Sequence, residues 1–257
     1  MDFQSIPDLI AHPGLRIVIV RGVPSPWSQA ARAIFEIKGL DYVVGAQLAG
    51  SENAELVAWS GQNSGPVVAY ADEPPIHRYT DILLLAERLA PKPALLPEDP
   101  EERVWVVGLC HEVSGDEGIG WWARIAMFQP AMSDDRSRSA ISPVANKWRY
   151  SEERASRASG EVVTRLQFLA AQAKANRERG SRFLVGDRLT ALDIHWAAMS
   201  VLLSALPEEI MPLPPALRPM FGISSWIPKV ADALDPVLIE HRDYIIERYF
   251  KTPFDYN

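Results

Sequence analysis

Three short stretches of this chain hold residue types that could act on a small molecule. The first is Ser25-Pro26-Trp27-Ser28, which follows a β-branched run and opens a helix-forming one. A hydroxyl there stands beside the unpaired N–H groups of a helix N-terminus, where negative charge is favoured. It suits a thiolate or another anion, because the hydroxyl can donate to it while the helix end supplies field. The commoner role of a serine at such a position is simply to cap the helix. Ser28 is a spare hydroxyl, expected one turn into the helix and facing solvent. The second stretch is Gly65-Pro66. An X-Pro bond leading into a strand is a candidate cis peptide, which would turn the backbone of residue 65 outward to pair with an extended, peptide-like ligand. The third is Thr80-Asp81 at a helix start, where Asp81 either caps the helix or holds a ligand ammonium group.

The elements that must position these groups are legible in outline. Residues 15–20 (Leu-Arg-Ile-Val-Ile-Val) read as a buried strand. A Gly/Pro turn follows, and residues 27–38 read as a helix ended by Gly39. Residues 41–47 suit a strand, 54–59 a short helix, 65–70 a strand, 76–78 a short strand and 81–89 a helix. The order β-α-β-α-β-β-α implies an α/β domain with a mixed sheet over residues 1–90. Residues 91–100 carry four prolines and read as a linker. Beyond it strand signals vanish, and helix-like stretches appear at 100–113, 120–129, 145–178, 191–206 and 226–247, so residues 101–257 read as an all-helical domain. Residues 130–143, rich in Ser, Asp and Arg, read as an exposed loop, and the Pro-rich 207–223 as irregular.

Thr190-x-x-Asp193 opens the apolar run that continues to Leu206. Thr190 can accept from the Asp193 amide while the Asp193 carboxylate reaches back to the Thr190 amide, a capping box with Asp in place of Glu or Gln. Cys110-His111 has no third partner nearby and reads as core packing rather than a metal or nucleophile site. A net charge of −7 argues against a nucleic-acid surface or an anionic membrane as the main partner. The single cysteine excludes an intrachain disulfide framework and fits a reducing compartment. With no basic region and apolar run at its start, the chain reads as cytoplasmic.

Four phrases in this order resemble the cytosolic glutathione S-transferases. Leu15 to Lys38 resembles that family's first strand and helix, with Ser25 in the position of its catalytic Ser or Cys. Residues 55–68 resemble the segment leading to its cis-proline, 81–89 its acidic-then-serine helix start, and 183–196 the capping-box motif of its helical domain. The resemblance implies a thioredoxin-like α/β domain followed by an all-α helical-bundle domain, a homodimer, and glutathione as co-substrate without a metal. It implies Ser25 as the residue that activates the glutathione thiolate, with Trp27, Gly65, Pro66, Thr80 and Asp81 binding glutathione. Trp121, Trp122 and Phe128 would form the pocket for a small hydrophobic electrophile. Two departures bear on activity: Ile82 stands where the family has serine, and Gly65 where it has a branched aliphatic residue. They keep open a second reading, a non-catalytic scaffold of the same fold with a degenerate glutathione site.

Overall fold

The computed structural model describes residues 1–215 and 217–257, so Ala216, within the irregular 207–223 stretch, lies outside the described residues. The chain divides into two units. The first comprises Met1–Leu95 with Pro207–Leu213 and Glu247–Asn257, the second Leu96–Leu206 with Pro214–Ile246. The division at Leu95 and Leu96 falls inside the proline-rich stretch, while the chain's last residues join the first unit rather than the helical one. Hydrogen bonds to the first unit accompany this: the Gly22 amide donates to the Tyr256 carbonyl and the Arg32 guanidinium to the Asp255 carbonyl.

The first unit runs β1 (Phe3–Gln4), α1 (Ile6–Ala11), β2 (Leu15–Arg21), α2 (Pro26–Ile37), β3 (Val43–Leu48), α3 (Ala54–Ser60), β4 (Val67–Tyr70) and α4 (Tyr79–Leu89). The sheet order is β1-β3-β2-β4, with β2 parallel to β3 and antiparallel to β4. β2 is buried from Leu15 to Ile19, which is why residues 17–20 are continuously apolar and β-branched rather than alternating, while the buried Arg16 guanidinium donates to the His12, Gly14 and Ala71 carbonyls. The 76–78 strand reduces to one antiparallel bridge between Ile76 and Val68. Helix α1 escaped the sequence reading, although Ser5 caps it by accepting from the Asp8 amide and a proline occupies its first turn. It lies close to the sheet: a Cβ on Gly45 would come within 3.0 Å of Leu9.

The second unit holds α5 (Pro100–Ser114), α6 (Ile119–Ser133), α7 (Asp135–Lys147), α8 (Glu152–Glu178), α9 (Ala191–Met199), α10 (Pro228–Ala233) and most of α11 (Pro236–Tyr249). Gly118 separates α5 from α6, and a Cβ there would sit 2.7 Å from the His111 carbonyl oxygen. The expected 130–143 loop is instead the end of α6 and most of α7. Its polar residues act as helix-end chemistry: Asp134 caps α7, Ser137 bonds Asp134, and Asp135 pairs with Arg138 at i,i+3. The expected 145–178 helix is broken at Arg149, which takes a left-handed φ of 54°, before Ser151 caps α8. The 226–247 stretch splits before Pro236, and the 191–206 helix gives way at Ser200 to a short 3-10 turn. All nine residues of α9 are buried, making it the centre of the helical core.

Candidate active site at one end of the sheet

β2 ends at Arg21, Gly22 turns the chain with φ of 76°, and Ser25 stands at the N-cap of α2. The Ser25 amide donates to the Val23 carbonyl at 2.8 Å, and its own carbonyl accepts from the Gln29 amide at 2.9 Å. Its hydroxyl makes no capping bond, so the commoner role of serine at this position is not taken. The first turn of α2 contains no acidic residue, which leaves the positive end of its dipole without a neutralising carboxylate. Ser28 does not face solvent as expected: it is 1% exposed, and its hydroxyl is buried without a hydrogen-bond partner. The reason is that α2 is buried on almost every side, every residue from Ser28 to Phe35 included. Gln29 shares this state, its amide nitrogen also buried and unpartnered.

Strand register brings the other two stretches to the same end. β4 runs antiparallel to β2 with Val67 opposite Val18, so Gly65 and Pro66 lie beyond the start of β4, toward the end from which the Ser25 turn leaves. The Gly65–Pro66 peptide is cis. A Cβ on Gly65 would stand 3.1 Å from the Val18 carbonyl oxygen and 3.2 Å from Ile19 Cα, both backbone atoms that cannot swing aside. Gly65 is therefore a point of close approach to β2. Ile76 pairs antiparallel with Val68, so the chain from Ile76 to Arg78 returns toward the Pro66 end and delivers the N-terminus of α4 there.

That helix starts two residues earlier than expected, with Arg78 as N-cap. Thr80 and Asp81 thus lie within its first turn, half-buried. Ile82 is 1% exposed and committed to the core. Trp27 is half-buried at the start of α2.

The aromatic residues of α6 are placed differently from expectation. Trp122 and Phe128 are each 2% exposed, so they are helical core and offer no wall to a substrate. Trp121 remains half-buried, edge-on to Trp148 at 4.9 Å with the Arg149 guanidinium 4.9 Å from its ring. On the same helix Arg124 lies over Trp148 and Phe221, and burial pulls its pKa down to about 10.

The sequence matches no family model and no curated protein. Solved structures do match. A glutathione S-transferase domain-containing protein of Marinobacter aquaeolei VT8 aligns over 91% of this chain and 98% of its own, with a TM-score of 0.60 at 18% identity. A glutathione S-transferase of Methylobacterium radiotolerans JCM 2831, in complex with glutathione sulfonate, covers 94% and 98% with a TM-score of 0.57 at 19% identity. A glutathione S-transferase of Methylobacillus flagellatus KT with glutathione bound covers 89% and 98% with a TM-score of 0.60 at 11% identity. This chain has the glutathione S-transferase fold.

Within that fold the capping motif of α9 forms as its spacing implies. Both halves of the box are present, and the Thr190 amide donates to Asp193 Oδ2 at 2.7 Å and its hydroxyl to the same oxygen at 2.8 Å. The other oxygen, Oδ1, accepts from the Leu184 amide and meets His241 Nε2, both at 2.8 Å. His241 went unnoticed in the sequence, because nothing in its local pattern links residue 241 to residue 193. Cys110 is core, its thiol pushed well above the usual value by burial and then by the Asp193 charge. His111 is exposed, so the core reading of that pair applies to the cysteine alone. His195 is 2% exposed and shares a 2.9 Å hydrogen bond with the Ser114 hydroxyl, and burial lowers its pKa to about 4.

Proposed function

We propose that this protein binds glutathione where the Ser25 turn, Gly65–Pro66 and the start of α4 converge, and that Ser25 activates its thiol. The observation that carries this reading is the Ser25 hydroxyl: it lies at a helix N-terminus free of acidic residues and is not spent on capping. The hydroxyl donates to the glutathione sulfur and, with the helix end, lowers the thiol pKa from its ordinary value of about 8.5 toward neutrality. The thiolate then attacks an electrophilic carbon of a small hydrophobic substrate, forming a C–S bond while the displaced electron pair departs with the leaving group. In an isomerisation the pair stays on the adduct and re-forms the double bond as the C–S bond breaks and glutathione leaves as thiolate. The backbone of Gly65 pairs with the cysteinyl backbone of glutathione. The first amides of α4 with the Thr80 hydroxyl take its γ-glutamyl carboxylate, and Asp81 takes the neighbouring ammonium. Trp27 flanks the tripeptide, and Trp121 is the remaining aromatic candidate for the second substrate.

Cytoplasmic location and a homodimer belong to the same proposal. Three large apolar side chains support the homodimer by their exposure: Val104 at 73% and Trp105 at 42% on α5, and Phe168 at 51% on α8. A second reading, a scaffold with a degenerate site, is favoured by Ile82, whose side chain is given to the core where a hydroxyl would serve the ligand.

A glutathione titration across pH, following thiolate absorbance with Ser25→Ala in parallel, tests the proposal. A bound thiol that ionises well below the free one, and reverts in the variant, supports transferase chemistry. No binding at millimolar glutathione supports the scaffold.

A further inference from the structure

We propose that the second unit carries a binding site for a small aromatic carboxylate, built on the Arg124 guanidinium between the Trp148 and Phe221 rings. These three residues, with Trp121 and Met127 beside them, all belong to that unit, so the site is independent of the glutathione reading.

The Arg124 guanidinium carbon lies 5.9 Å from the Trp148 ring centroid and 5.7 Å from that of Phe221. Two rings therefore hold it in place while neither neutralises it. An arginine brings five N–H donors. Here Nη1 reaches only Met127 Sδ, a weak acceptor, at 3.7 Å. Nε is buried without a hydrogen-bond partner. Nη2 also has no acceptor among the described residues, but it is not buried, on a residue that is itself only half-buried. Among the described residues no carboxylate pairs with this group, and burial alone accounts for its lowered pKa. At about 10 that value leaves it charged at neutral pH. The acidic groups at the start of α6 do not oppose an anion here, because they are already paired. Asp116 is held by Arg149 at 2.7 Å and Glu117 by Arg154 at 3.0 Å. Arg124 is thus a partly desolvated cation that the protein leaves unmatched, which costs stability until an anion meets it.

The ligand follows from this geometry. The open end of a guanidinium takes the two oxygens of a carboxylate side by side. One unmatched cation answers one negative charge, so a monoanion fits better than a phosphate dianion. Trp148 and Trp121 meet edge to face at 4.9 Å, and both are half-buried, leaving part of their ring surface for a flat apolar body. Benzoate is the simplest such molecule. Benzamide has its shape without its charge, and acetate its charge without its ring.

Calorimetry and thermal unfolding of the full chain, at neutral pH and fixed ionic strength, compare benzoate with benzamide, acetate and inorganic phosphate. Benzoate should bind one per chain and raise the unfolding temperature with concentration. Each of the other three should bind at least about tenfold more weakly. Arg124→Gln should bring benzoate down to the level of benzamide. Should that variant fail to fold, the comparison of benzoate with benzamide on the unaltered chain decides. No benzoate binding at millimolar concentration, binding no tighter than that of any of the other three, or benzoate binding unchanged by Arg124→Gln overturns the proposal.

Discussion

The Gly22 amide donates to the carbonyl of Tyr256 at 2.7 Å, tying the turn that precedes Ser25 to the far end of the chain. Next to it the Arg32 guanidinium donates to the Asp255 carbonyl at 2.5 Å, and the Tyr256 hydroxyl to the Pro212 carbonyl. The C-terminal residues thus act as a clamp on the first unit, anchored by the fully buried Tyr256 ring.

Removing that ring opens a cavity and takes away the side chain that anchors the Tyr256 carbonyl on the Gly22 amide. Tyr256→Ala should destabilise the protein by about 3–5 kcal/mol, as for other large buried aromatics. Urea unfolding measures this, and a loss below about 1 kcal/mol would show that the clamp is dispensable. If the proposed site is right, the same variant weakens glutathione binding, because Gly22 is three residues from Ser25.

The two hydroxyls of α2 should behave differently. Ser25→Ala removes no capping bond and should change stability by less than about 0.5 kcal/mol, yet lower kcat/KM by roughly 10²–10³ if Ser25 stabilises the thiolate. Ser28→Ala removes a buried, unpartnered hydroxyl, so it should be neutral or stabilising by up to about 1 kcal/mol. A Ser28→Ala loss above that size would mean the hydroxyl has a partner in solution. Chemical denaturation of the two variants side by side separates these outcomes.

Gly65→Ala places a methyl against the backbone of Val18 and Ile19. Since neither can rotate away, the sheet must spread, at a cost of about 1–3 kcal/mol. Weakened glutathione binding should accompany it, and an unchanged unfolding midpoint would argue against the close approach.

Acid should destabilise the fold through His195, whose pKa is about 4 in the folded protein against an ordinary 6.5. Between those values the unfolded chain takes up a proton that the folded one refuses. Stability is therefore complete above about pH 6.5 and falls as pH drops toward about 4, by at most roughly 1.4 kcal/mol per pH unit. His195→Gln should flatten this part of the profile. Unfolding midpoints at several pH values across that window, in both proteins, provide the check.

Local chemistry was readable wherever it spans a few residues. The β2 run, the helix that follows Pro26, the helix beginning at residue 100 and the Thr190–Asp193 box all follow from residue type and spacing. Helix α1 was equally readable from Ser5, Pro7 and Asp8, and was missed because its apolar pattern covers barely two turns. The 130–143 stretch misled because Ser, Asp and Arg serve loops and helix ends alike, and only their mutual bonding separates the two.

By itself the sequence determined most of the strands and helices, though not α1 or the helices over residues 130–143, together with the resemblance to the glutathione S-transferases and a hydroxyl poised at a helix start. These depend on contacts a few residues apart, which spacing encodes. Only the tertiary structure decided that Ser25 leaves its cap unmade, that Ser28 is buried, that Trp122 and Phe128 belong to the core, and that Tyr256 holds Gly22. It alone joined His241 to Asp193. Each of these depends on which distant residue fills the space beside a side chain, and no local pattern carries that information.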